Sequence, residues 1–125
     1  MRRNGYYKYL GQEDHLQHLV MTYLSTQYPD TLSIHVPNEG KRSPFMQYKF
    51  KYLGGMSGIP DVLVFKSTSK YSGLAIELKI APNKPTKNQK EFLDKLSASG
   101  WYATWTSSFE EAKTIINQYF NDGDL

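Results

Sequence analysis

Hydrophobic positions in this chain fall into short runs whose spacing changes from helical to strand-like and back. From Gln12 to Tyr28, Leu16, Leu19, Val20, Tyr23 and Leu24 recur at three- and four-residue steps. This predicts an amphipathic helix that Pro29 ends. Leu32, Ile34 and Val36 then alternate with polar neighbours, predicting a strand over 32–36, and Pro37-Asn38-Glu39-Gly40 breaks the chain as a turn. Two patterns compete over 43–53. Tyr48, Phe50 and Tyr52 alternate as in a strand, whereas Ser43-Pro44 is an N-cap followed by Pro at the first helical position, with Gly54 as the stop. A helix is the favoured outcome.

Gly54 to Gly58 forms a flexible loop that feeds a strand over Ile59 to Phe65. Lys66 to Ser72 is a polar hairpin connection, and Gly73 to Ile80 the returning strand. Thr86 caps a helix running to about Ser97, with Phe92, Leu93 and Leu96 as its buried stripe, and Gly100 stops it. Trp101 to Thr106 reads as a fourth strand. Ser107 or Ser108 caps a last helix whose apolar face is Ala112, Ile115, Ile116, Tyr119 and Phe120. The order α, β, α, β, β, α, β, α predicts an α/β fold with a mixed central sheet and helices packed on it.

Composition narrows the class. At 125 residues the expectation is one domain, 1–125, with a real core, and the 39% apolar and 14% aromatic shares fit a folded globular chain. No apolar run approaches the roughly 20 residues that span a bilayer. The basic start Met1 to Gly5 is not followed by an apolar stretch. The expectation is a soluble, cytoplasmic protein. With no cysteine, thiolate nucleophiles, disulfides and Cys-based zinc sites are excluded. His15 and His18 lack a third ligand at a metal spacing, and the three histidines read as incidental. The net charge of +3 only hints at a polyanionic partner. Its distribution says more: Lys79, Lys84, Lys87, Lys90 and Lys95 share one span, and Lys41-Arg42 follow a turn. Taken singly, each reads as a solvated surface residue.

The chemistry concentrates in Pro60-Asp61, at the head of one strand, and Glu77-Leu78-Lys79, inside the next. Strand side chains alternate, so Glu77 and Lys79 share a face, while Leu74, Ile76, Leu78 and Ile80 form the apolar face that must be core. Pairing across the 66–72 turn brings Asp61 near Glu77. Two carboxylates held close repel unless a cation lies between them, and hard oxygen ligands select Mg²⁺ or Mn²⁺. Phosphodiester cleavage needs such a cation, and a base or cation beside the attacking water, which Lys79 supplies. Whether Lys79 deprotonates that water or only orients it stays open. A bare Asp…Glu-x-Lys pattern recurs by chance and equally describes a surface ion pair with a turn aspartate.

The surroundings change the odds. Ser57-Gly58-Ile59-Pro60-Asp61, Gly73 to Lys79, Thr86-x-x-Gln89 and Leu96-x-x-x-Gly100-Trp101 closely resemble the VRR-NUC domain of the PD-(D/E)xK nuclease superfamily. Val36 to Arg42 and Glu13 also resemble the stand-alone phage and bacterial members, and the likeness runs from residue 12 to 120. It implies a restriction-endonuclease-like αβββαβ core and a metal-dependent endodeoxyribonuclease leaving 5′-phosphate and 3′-hydroxyl ends. It implies Asp61, Glu77, the Leu78 carbonyl and Glu13 as metal ligands, with Lys79 positioning the nucleophile. Glu13, Gln17, Val20 and Leu24 lie within an arc of about sixty degrees on a helix, so Glu13 can reach the sheet; a first-turn carboxylate that merely complements the helix dipole fits equally. Gln89 completes a capping box with Thr86 and also looks toward the site as a catalytic-centre neighbour. Glu39 reads as a ligand or, more simply, a turn residue. Lys41, Arg42, Lys84 and Lys87 are the expected DNA phosphate contacts. The resemblance further implies a homodimer acting on branched DNA, four-way junctions in particular. A nickase on linear or flapped DNA and a non-catalytic DNA-binding module are the alternatives.

Overall fold

The computed structural model describes residues 4–37 and 42–125. A short 3-10 turn, Gly5–Tyr9, precedes α1 (Gln12–Gln27), β1 (Leu32–His35), α2 (Pro44–Tyr52), β2 (Val62–Phe65), β3 (Leu74–Leu78), α3 (Lys87–Ala98), β4 (Tyr102–Thr106) and α4 (Phe109–Phe120). The predicted order holds, and the 3-10 turn is an addition. The disputed segment is helical: Ser43 Oγ accepts the Met46 N–H at 3.2 Å, and Pro44 opens the first turn. In the last helix the cap is Ser108, whose Oγ accepts the Glu111 N–H.

The four strands lie in the order β1-β2-β3-β4. β1 with β2 and β2 with β3 are antiparallel, whereas β3 with β4 is parallel, joined by the α3 crossover. The mixed α/β architecture is thus as expected. The β2 ladder begins at Val62 and not at Ile59, because Pro60 has no N–H to donate to a rung.

Two faces of the sheet are used differently. Val62, Val64, Leu74, Ile76 and Leu78 pack with Leu16, Val20 and Leu24 of α1 and with Ile115, Ile116 and Tyr119 of α4 in one apolar cluster. Each fully buried aliphatic side chain contributes about 1.5–3 kcal/mol relative to exposure. Leu19, placed on the buried stripe by its spacing, is 46% exposed; the 3.6-residue period turns it away from the sheet. α3 covers the opposite face with Leu93, while Phe92 and Leu96 are only half-buried. As a result β3 is buried on both faces, Ala75 and Glu77 included. The Glu77 face is thus roofed by the helix that carries Gln89, as the outlook of Gln89 toward the site requires.

The turn end of the β2–β3 hairpin is held by the chain beyond α4. Asp122 accepts the Ser69 N–H at 2.9 Å and the Ser69 hydroxyl at 2.7 Å. Tyr119 O–H donates to the Lys66 carbonyl at 2.6 Å.

Candidate active site

At the other end of the hairpin the chain assembles three carboxylates. The β2–β3 register pairs Val62 with Ile76, and one step outward it sets Asp61 opposite Glu77. Asp61 is 3% exposed and Glu77 1%. Glu13, an exposed residue in the first turn of α1, closes the group, and one oxygen from each of Glu13, Asp61 and Glu77 lies within 4.8 Å of the others. The dipole explanation of Glu13 accounts for its place in the helix but not for this convergence. Glu13, Asp14, Gln17, His35 and Asp61 line an adjoining cavity of about 430 Å³.

The two buried carboxylates are held by different devices. Leu78 N–H donates to Asp61 Oδ2 at 2.8 Å, a bond that is buried. Glu77 Oε1 receives Gln89 Nε2 at 3.4 Å and has Lys79 Nζ 4.0 Å away. Glu77 Oε2 is buried and, among the described residues, has no hydrogen-bond partner. A buried, unpartnered carboxylate oxygen is costly unless something cationic meets it. Burial, above all, pushes the Glu77 carboxyl up to about 9, with the neighbouring Asp61 and Glu13 carboxylates adding to the shift and Lys79 opposing it. Burial also raises Glu13, helped by Asp61 and opposed by Lys79. Three converging carboxylates, one of them with a buried unpartnered oxygen, fit a hard divalent cation.

Pro60 gives the Leu78 carbonyl its freedom. Gly73 O and Lys79 N are bonded toward β4, so the odd residues of β3 direct their backbone groups there and the even ones toward β2. Leu78 therefore faces Pro60 across the ladder, where no N–H exists to close the rung. Its N–H is taken by Asp61, and its carbonyl has no donor at that register position.

Among the other anticipated residues, Gln89 makes contacts in two directions. Its Oε1 accepts the Thr86 N–H at 2.8 Å, completing the capping box, while its Nε2 reaches Glu77. One side chain thus ties the start of α3 to β3. Lys84 and Lys87 are exposed on the exit from β3 and the first turn of α3. Arg42 is half-buried, its guanidinium 4.0 Å from the Phe50 ring centre, away from the carboxylates. Lys41 and Glu39 lie outside the described residues.

His35 corrects the view that all three histidines are incidental. Its Nδ1 is 3.0 Å from the Asp61 carbonyl oxygen, the geometry of an imidazole N–H donating to it, and it also contacts Gln17 Nε2. A search for metal-ligand spacing passes over it. The signal was pairing: β1 lies against β2, which brings the end of one beside the start of the other.

A hairpin carrying Asp61 and Glu77-x-Lys79 in a mixed, helix-flanked sheet defines a restriction-endonuclease-like α/β fold with an acidic centre. The chain belongs to the VRR-NUC domain family, whose model matches residues 7–109, and the members of that family are generally nuclease domains. It is similar to a solved structure titled "VRR_NUC domain protein", with a TM-score of 0.77 and 28% identity over 92% of this chain and 93% of that one. A second, titled "VRR_NUC domain", has a TM-score of 0.53 and 20% identity over 83% of this chain and 97% of that one, which shows the shared fold. No curated protein matches the chain. Among the described residues no helix is long and apolar enough to cross a membrane.

Proposed function

We propose that this chain hydrolyses phosphodiester bonds in DNA, with Mg²⁺ or Mn²⁺ held by Glu13, Asp61, Glu77 and the Leu78 carbonyl. The observation that carries the reading is the orphaned Glu77 Oε2 inside a set of three carboxylates within 4.8 Å of one another. Such a cation, when bound, neutralises charge developing on the phosphoryl oxygens and acidifies the attacking water. The chain's own groups do the positioning. Asp61 is fixed by the Leu78 N–H and Glu77 by Gln89, so neither must reorganise. Lys79, beside Glu77 and 13% exposed, orients the attacking water or takes its proton. Lys84 and Lys87, with Lys41 and Arg42, neutralise flanking phosphates, which gives shape and charge readout without base reading.

The preferred substrate in this reading is branched DNA, a four-way junction above all, cut by a homodimer. An isologous dimer sets two sites at a fixed separation, matching the two strands of a pseudo-symmetric junction. A nickase on linear or flapped DNA is the second reading. Labelled junction, flap, duplex and single-stranded DNAs, incubated with Mg²⁺, Mn²⁺ or EDTA, test both. Metal-dependent cuts bearing 5′-phosphates, with junction preferred whatever the arm sequence, are expected. No cleavage of any substrate with either metal would remove the nuclease reading. Equal cutting of duplex and junction by a monomer removes only the junction reading.

A further inference from the structure

We propose that the cavity between α2 and α3 seats one unpaired nucleotide of the DNA strand next to the cleavage site; this rests on the nuclease reading and names a feature of its substrate. The cavity is about 460 Å³, within the range of small-ligand pockets of about 300–1,000 Å³. Its apolar walls are Phe50, Met56 and Phe92, and among the described residues its cations are Arg42, Lys51 and Lys95, against Glu91 as the one carboxylate. An inorganic anion has no use for the aromatic walls, and a hydrocarbon has none for the three cations. A flat base joined to a phosphate uses both. Gln47 and Asn88 add amides able to meet a base edge. Arg42 already stacks on Phe50, and the guanidinium plane extends that stack to a base.

The cavity is coupled to the carboxylates by backbone. Asn88 precedes Gln89, the residue that reaches Glu77, and Asn88 Nδ2 donates to Ser57 Oγ at 3.4 Å. Gly58, three residues before Asp61, lies so close that a Cβ there would come within 2.7 Å of the Asn88 carbonyl oxygen. The cavity wall and the segment leading to Asp61 are therefore in contact. A base still paired and stacked in a duplex cannot enter, so the occupant is unpaired.

Binding is measured by fluorescence anisotropy in EDTA, with a labelled duplex and the same duplex carrying a short single-stranded gap. The wild type is expected to prefer the gapped DNA by about tenfold, the scale of one stacked base. Two variants spare the carboxylates and Lys79. Lys51→Glu with Lys95→Glu reverses two exposed charges. Gly55→Ala pushes the Phe50 ring into the cavity, since a Cβ there would stand 2.4 Å from it. Both are expected to bring the gapped-to-duplex ratio near one, a readout that general loss of charge does not move. A wild-type ratio of one, or a ratio unchanged in both variants, overturns the proposal. So does tight 1:1 calorimetric binding of free dAMP without gap preference, which assigns the cavity to free nucleotides. Mg²⁺-dependent cleavage without gap preference removes this inference alone, whereas gap preference without cleavage removes the nuclease reading alone.

Discussion

Leu78 donates its backbone N–H to Asp61 Oδ2 at 2.8 Å, which makes the strand that carries Glu77 also the clamp on the other buried carboxylate. Asp61 and Glu77 are thereby held opposite each other in a hairpin, both buried, so that the pair requires a cation or else a proton on one of them. The same geometry sets the expected behaviour of several variants.

Glu77→Gln should abolish metal-dependent cleavage yet stabilise the metal-free protein. Burial raises the Glu77 carboxyl from its ordinary 4.5 to about 9, so the native state holds a proton that the unfolded state has released. Stability from this group is then fully present below about pH 4.5 and declines as pH climbs toward 9. The glutamine variant should lack that slope and gain on the order of 1–3 kcal/mol near neutral pH. Thermal melts in EDTA from about pH 5 to 8 check it; a wild-type protein that becomes more stable across that range contradicts the assignment. Metal binding should also release protons and tighten with pH, a result calorimetry in two buffers reads directly.

Lys79→Ala should lose cleavage while still binding Mn²⁺ and DNA. The Lys79 N–H bond to the Thr106 carbonyl is backbone and survives the change. A variant that no longer binds Mn²⁺ by calorimetry would give Lys79 a different role.

Pro60→Ala should weaken cation affinity by about tenfold, roughly 1.4 kcal/mol. It supplies the N–H that the Leu78 carbonyl lacks across the ladder, and the added rung competes with a cation for that oxygen. Amide exchange should show the new N–H protected. An unaltered Mn²⁺ affinity would mean that the carbonyl is not a ligand.

Gln89 separates stability from chemistry. Gln89→Glu keeps the capping box with Thr86 but sets a carboxylate beside Glu77, so cleavage should fall while the melting temperature in metal stays close to wild type. Gln89→Ala loses both functions and should also cost about 0.3–1.5 kcal/mol of stability. Equal melting and equal activity in both variants would leave Gln89 without a part in the site.

Much of this is legible in the sequence. Period-two and period-3.6 spacing located the four strands and α1, α3 and α4, the Ser43-Pro44 cap decided α2 against its strand-like alternation, and the hairpin logic put Asp61 opposite Glu77. What spacing alone misjudged was coverage. It places Leu19 on the core stripe although the helix turns it outward, and it counts Phe92 and Leu96 with Leu93 as a buried stripe although only Leu93 is fully covered. His35 was invisible for a related reason. It acts through a neighbouring strand's backbone, and strand order is a property of the whole sheet. The orphaned state of Glu77 Oε2 likewise depends on what five separate segments leave unmet.

The bonds from Asp122 to Ser69 and from Tyr119 to Lys66 close the hairpin at its turn, roughly 17 Å along the strands from the carboxylates. This gives the hairpin the mechanics of tweezers pinned at the pivot. Residues 119–122 never approach the acidic centre, yet they govern how far its tips can part. The separation of the carboxylates at one end is thus braced by a fastening at the other.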